Sequence, residues 1–171
     1  MIRPAVPADG PSIAAVQRRT WHATYRGILP DDVLDGFDLD AAGRRWTAAV
    51  ASPRPDSAVF VAEREGGVVG FAAVAGVEDE AGVGEVEAVY VAPEHQERGL
   101  GRGLLDAAVG SLSALGFTEG ILWVAAANDG ARGFYERLGW GPDGGRRLWR
   151  GASVVRYRRP LSGEGETADA G

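Results

Sequence analysis

The chain has 171 residues, 45% of them hydrophobic and 25% charged, which suits one globular domain with a sizeable core. It contains no cysteine and no lysine, which excludes a disulfide framework, a thiolate zinc site, a cysteine nucleophile, a lysine Schiff base and a P-loop lysine. The formal net charge of −6, with all 18 basic residues arginine, argues against a nucleic-acid binder, which normally carries a basic excess.

A short strand is expected near Ile2–Pro4, followed by a helix with Asp9 as its N-cap, Pro11 in its first turn, and Ile13, Val16, Trp21 and Tyr25 at helical spacing. Gly27 and Pro30 end it, Pro30-Asp31-Asp32 opens a short second helix, and residues 40–51 form a third. Residues 58–64 and 68–74 read as strands joined by a Glu65-Gly66-Gly67 turn. An acidic turn, 78–82, precedes a strand at 85–91 that Pro93 stops. Residues 99–116 read as a helix with Gly116 past its C-terminus, then come a strand at 121–127 and a helix at 130–138 ended by Gly139. A last hairpin uses 148–149 and 154–159, and the polar, Gly-rich 162–171 is expected to be mobile.

This order predicts a single-domain α/β fold over 1–160, with a tail over 161–171 and a mixed central sheet of six to seven strands flanked by helices. The strand–helix–strand crossover over 85–127 implies that those two strands run parallel. No apolar run approaches the ~18–20 residues that span a bilayer, and Met1 to Pro7 lack a signal-peptide pattern. The expectation is a cytoplasmic protein without a membrane partner. His22 and His95 stand apart, so no metal site is expected.

The chemistry concentrates where the strand ending at Val91 turns through Gln96-Glu97-Arg98-Gly99-Leu100-Gly101-Arg102 into a helix. The first turn of a helix has free N–H groups and a positive dipole end, and glycines let a ligand approach the backbone. Such a loop suits a pyrophosphate, with Arg98 and Arg102 available for charge-assisted bonds. A plain connection would look the same. A dinucleotide fingerprint would need glycine at position 104, which is leucine.

Three blocks in order carry a resemblance. Gln96-x-x-Gly99-x-Gly101 resembles the acyl-CoA signature of the GNAT superfamily of N-acyltransferases. The preceding Glu85-Val86-Glu87-Ala88-Val89-Tyr90-Val91 resembles that family's fourth strand, and Asn128 with Phe134-Tyr135-Glu136 resembles its fifth strand and following helix. The resemblance implies a V-shaped splay between the fourth and fifth strands and direct transfer of an acetyl group from acetyl-CoA to a primary amine. It implies that the backbone of Val89, Tyr90 and Val91 pairs with the pantetheine arm, with the Val91 N–H on the thioester carbonyl. Glu97, Arg98, Gly99, Leu100, Gly101 and Arg102 would hold the pyrophosphate, and Asn128 the pantetheine chain. Tyr135 matches the family's general acid, and its alternative is a packed helix-face tyrosine. Glu85 matches a glutamate used as base in many relatives. Glu87, two residues on and so on the same face, is the alternative base or an acceptor anchor, and both also read as solvated strand residues. Trp123, with the alanines at 125–127, stands where some relatives carry a further glutamate, which removes one alternative base and leaves an apolar wall expected to contact the acceptor.

For the acceptor, Trp21, Tyr25 and Gly27-Ile28-Leu29-Pro30 resemble a bacterial small-molecule subgroup, and simple core packing is the alternative. Trp46 and His22 read as structural, and the arginines from Arg146 to Arg159 as a solvated strand face or an anion site. The expected partners are a small-molecule amine and a second copy of the chain in a homodimer. Two other functions stay open: acetylation of a protein amine, and a non-catalytic acyl-CoA sensor.

Overall fold

Alternate residues of the strand Gly67–Gly76 face opposite ways, and both faces are buried. Phe71 points toward Ile13 and Val16, while Ala72 and Val74 point toward Leu104, Leu105 and Leu112. This strand is therefore the middle layer of a three-layer sandwich. A computed structural model describes residues 1–96 and 98–161. Glu97 and the expected mobile segment 162–171 lie outside the described residues.

The strands are β1 (Ile2–Pro4), β2 (Ser57–Arg64), β3 (Gly67–Gly76), β4 (Val83–Val91), β5 (Glu119–Ala125), β6 (Gly141–Trp149) and β7 (Ala152–Pro160). They form one sheet in the order β1-β2-β3-β4-β5-β7-β6. Every neighbouring pair is antiparallel except β4 and β5, which are parallel as the crossover requires. The helices are α1 (Gly10–Tyr25), α2 (Asp31–Asp35), α3 (Leu39–Ala51), α4 (Leu100–Ala114) and α5 (Asp129–Arg137). Helices α1 and α3 lie toward Phe71, and α4 covers the other face.

Strands β4 and β5 pair at only three positions: Val83 with Glu119, Gly84 with Gly120, and Glu85 with Ile121. The middle pair is glycine on both sides for a packing reason. A Cβ on Gly84 would lie 2.5 Å from Leu112 Cδ2, and one on Gly120 would lie 2.9 Å from Trp140 Cη2. Beyond Glu85 the strands part. A bulge at Glu87, between the Val74–Val86 and Ala73–Ala88 pairs, gives β4 an extra residue and bends it there.

Several local expectations shift. Asp9 is the N-cap of α1 by position, but its side chain makes no cap bond. Its carboxylate instead takes two bonds from Arg3, at 2.8 and 3.1 Å, and one from the Val6 N–H. Strand β6 begins at Gly141 rather than 148. It is an edge strand whose register slips between Pro142 and Arg146, which tolerates its proline and glycines. Leu161, assigned to the tail by the sequence, is buried and donates its N–H to Thr118. No helix among the described residues is long and apolar enough to cross a membrane.

Candidate active site

The parting of β4 and β5 opens a cleft of about 620 Å³. Its edges follow from the pairing register. The Ala92 N–H donates to Val69, which makes Val91–Gly70 a non-hydrogen-bonded pair in the β3–β4 ladder. The backbone groups of Val89 and Val91 therefore point away from β3, into the gap that β5 has left. Tyr90 turns its backbone the other way, to β3, and offers the cleft its side chain.

The loop after β4 is shaped by its own residues. The Gln96 side chain donates to the Val91 carbonyl at 3.0 Å, tying the loop back to the strand end. Gly99 is the N-cap of α4 with φ of 75°, a left-handed conformation that favours glycine. Gly99, Gly101 and Arg102 line the cleft, so the free N–H groups of the first turn of α4 open onto it. Arg102 is exposed beside Asp106, Arg98 is exposed, and Leu100 packs on the α4-side core instead of the cleft. Glu97, expected at the pyrophosphate, lies outside the described residues.

Helix α5 brings Asn128 and Tyr135 to the opposite wall. Asn128 Oδ1 caps α5 by accepting the Ala131 N–H at 3.1 Å, which leaves its amide nitrogen without a partner among the described residues. The helix is anchored from below. The buried Tyr157 hydroxyl donates to Glu136 at 2.8 Å and accepts from Arg132 at 3.0 Å, and Arg132 reaches the Ala126 carbonyl at 3.1 Å. Glu136 of the Phe-Tyr-Glu run thus serves the helix, and Tyr135 beside it faces the cleft. Burial first, then the neighbouring Tyr90, push the Tyr135 phenol well above its usual range. Tyr25 and Tyr90 also line the cleft, and burial raises both phenols. All three hydroxyls are fixed proton holders at neutral pH.

The two glutamates part company. Glu87 lines the cleft and its side chain reaches solvent. Glu85 is half-buried at the closed end, opposite Ile121, and is not among the cleft-lining residues. Burial pushes both carboxyls up, and for Glu85 the Glu87 charge pushes further while Arg147 opposes it. Trp123 lines the β5 wall, with the Arg147 guanidinium 4.1 Å and the Arg156 guanidinium 5.6 Å from its ring centre.

Helix α1 closes the inner end with Thr20, Thr24 and Tyr25. Thr20 Oγ1 is buried and has no hydrogen-bond partner among the described residues. Trp21 sits behind, 5.2 Å from Trp149 and 6.2 Å from Tyr25 in edge-to-face contacts, and lines a second cavity. His22 is structural, its Nε2 3.0 Å from the Leu34 carbonyl. The Glu80 tip is held by Arg158 at 3.1 Å rather than free in solvent. Sequence reasoning missed Thr20, Thr24 and the Tyr90 side chain as parts of the site; the two threonines stand four apart on α1, a spacing that puts them on one helix face.

Outward backbone groups, open helix N–H groups, an orphan hydroxyl and a free side-chain amide make a polar lining in a narrow cleft. That lining fits a long ligand carrying amides and a pyrophosphate, as acetyl-CoA does. Such a splayed α/β sandwich defines an acyl-CoA-dependent transferase. The chain belongs to the Acetyltransferase (GNAT) family, whose model matches residues 20–140. It is 34% identical over 130 residues to the uncharacterised N-acetyltransferase YuaI of Bacillus subtilis, covering 74% of this chain and 72% of that one. It is 30% identical over 154 residues to the probable N-acetyltransferase Rv2775 of Mycobacterium tuberculosis, covering 90% and 87%. The fold matches that of yncA, a putative acetyltransferase from Salmonella typhimurium solved with acetyl-CoA, at a TM-score of 0.70 and 24% identity over 100% of this chain and 98% of that one. The protein is an acetyl-CoA-dependent N-acetyltransferase.

Proposed function

We propose that the protein acetylates the primary amine of a small molecule at the inner end of the β4–β5 cleft. The observation that carries this reading is the meeting, in one cleft, of the outward Val89 and Val91 backbone, the Tyr135 phenol and the Glu87 carboxylate. Bound acetyl-CoA supplies an activated acetyl thioester. The Val89 and Val91 edge, the first turn of α4 and Asn128 would hold it, and the Val91 N–H would stabilise charge developing on the carbonyl oxygen. Tyr135 keeps a proton at its phenol oxygen and hydrogen-bonds the departing sulfur. The incoming ammonium must lose a proton first. Glu87 takes it, and Glu85 lies two residues deeper to accept it through water.

A small acceptor is favoured over a protein one because aromatic side chains wall the inner end. An extended polypeptide would suit an open groove. The test is calorimetric titration with acetyl-CoA and desulfo-CoA, followed by thiol release over a panel of amines. Micromolar binding with amine-dependent release supports the reading. Binding without release favours a protein acceptor or a sensor, and absence of binding overturns the cleft as a CoA site.

A further inference from the structure

A second cavity, of about 360 Å³, opens on the α1–α3 side of the sheet and shares Glu87, Ala88 and Tyr90 with the main cleft. Its lining has three parts. At the shared end is Glu87, its one acid. The body is aromatic, with Trp21, Trp46 and Trp149. Arg45 from α3 and Arg150 from the β6–β7 turn supply its two cations.

These arginines are 105 positions apart in the chain and meet only in the fold. Both are exposed and neither makes an ion pair with a described residue, so both guanidinium groups stand open at the cavity. Arg150 lies 5.4 Å above the Trp21 ring. Its φ of 50° is a left-handed conformation; Glu65 has a φ of 52° in the β2–β3 turn, so placement at the cavity, rather than backbone strain, distinguishes Arg150. Gln17 adds a donor. Its Oε1 accepts the Trp46 indole N–H at 2.9 Å, which leaves the amide nitrogen free among the described residues.

From this arrangement we infer that the acceptor is an α-amino-acid-like molecule, with an aromatic or large apolar body and a carboxylate held by Arg45 and Arg150. The inference rests on the N-acetyltransferase reading above and specifies its substrate class. In an α-amino acid the ammonium and the carboxylate sit on one carbon, so Glu87 would take the first, the arginines the second, and the indole walls the side chain that leaves the same carbon. The cavity holds the volume of roughly a dozen waters at about 30 Å³ each, enough for one amino acid and too little for a folded partner.

The test compares L-phenylalanine, L-phenylalaninamide and phenethylamine as acceptors, with thiol release as readout. Phenethylamine keeps the ring and a basic amine and lacks only the carboxylate. The expected kcat/KM for phenylalanine exceeds that for phenethylamine by about tenfold or more, the scale of a charge-assisted bond. In the R45A/R150A double variant that preference collapses, while the Kd for acetyl-CoA stays that of the parent protein. Equal or faster turnover of phenethylamine and the amide overturns the inference alone. A carboxylate preference that survives the double variant also overturns it, because the arginines then do not read the acid. If acetyl-CoA binds and none of a wider amine panel reacts, the small-amine reading falls first and this inference with it.

Discussion

Tyr135 keeps its proton because burial and then Tyr90 both oppose ionisation. Replacing it with phenylalanine removes the donor and keeps the ring. Tyr135→Phe should lower kcat by about a hundredfold or more while acetyl-CoA affinity holds within a few fold, measured by thiol release and calorimetry. The glutamates predict a pH profile. A base works when deprotonated, and both carboxyls are raised above the ordinary 4.5. Activity should therefore rise with pH through a limb above that value, and the limb should vanish in Glu87→Gln. Glu85 also bears on stability. A raised folded-state value means the native protein binds more protons than the unfolded chain, so its contribution is full below pH 4.5 and is lost as pH rises through the folded value. Glu85→Gln should raise Tm near neutral pH, with the gain shrinking toward acid.

At the scale of elements, α5 is a positioning device. Tyr157, Glu136 and Arg132 hold it against β5 and β7 beneath the residue that faces the cleft. Tyr157→Phe removes the buried hydroxyl that links Glu136 to Arg132 and, since water can reach the exposed Glu136, should cost about 0.5–1.5 kcal/mol in chemical denaturation. The Arg3–Asp9 pair does similar work at the start of α1, where Asp9→Asn should cost about 1–3 kcal/mol. Much at this scale was legible in the sequence. Hydrophobic spacing marked α4, and Gly116 and Gly139 marked two helix ends, both with φ near 90°. What periodicity missed came from tertiary pairing. Gly141-Pro142-Asp143-Gly144-Gly145 reads as a turn, yet β7 recruits part of it into an edge strand. Asp9 has the right type and place for a cap, but Arg3, six residues earlier, competes for its carboxylate and wins. The Glu87 bulge has no local signature, since only the register with β3 defines it. The motif residues Gln96, Gly99, Gly101, Asn128 and Tyr135 all reach the cleft, and they were legible because each motif is a short run of sequence. The lining of the second cavity, drawn from α1, α3, β4 and the last hairpin, was only partly visible.

For the whole molecule, the cleft is a seam between two parts of one sheet, joined at three residue pairs. A ligand that bridges the seam should stabilise the fold by mass action. At a hundred times its Kd, acetyl-CoA should add about 2.7 kcal/mol, which for a chain of this size raises Tm by roughly 5–10 °C in a thermal melt. An unchanged Tm would mean that acetyl-CoA does not bind the native protein, and with it the cleft would fall as the donor site. Gly84→Ala should lower Tm in the absence of ligand, because Leu112 must move to admit the methyl group.

The orientation of Val89 and Val91 also bears on how such a protein can change. What these residues would offer the donor in the proposed site is main chain, which every amino acid carries, so a substitution that keeps the strand keeps the outward backbone groups. The second cavity, where we place the acceptor, is walled by indoles, guanidinium groups and a carboxylate, each of which a single codon can erase or replace. The two halves of the reaction are thus inherited under different rules. Lineages descending from this chain can exchange acceptors freely while the same donor persists, and directed evolution toward a new amine has a natural place to start in the side chains around Arg150.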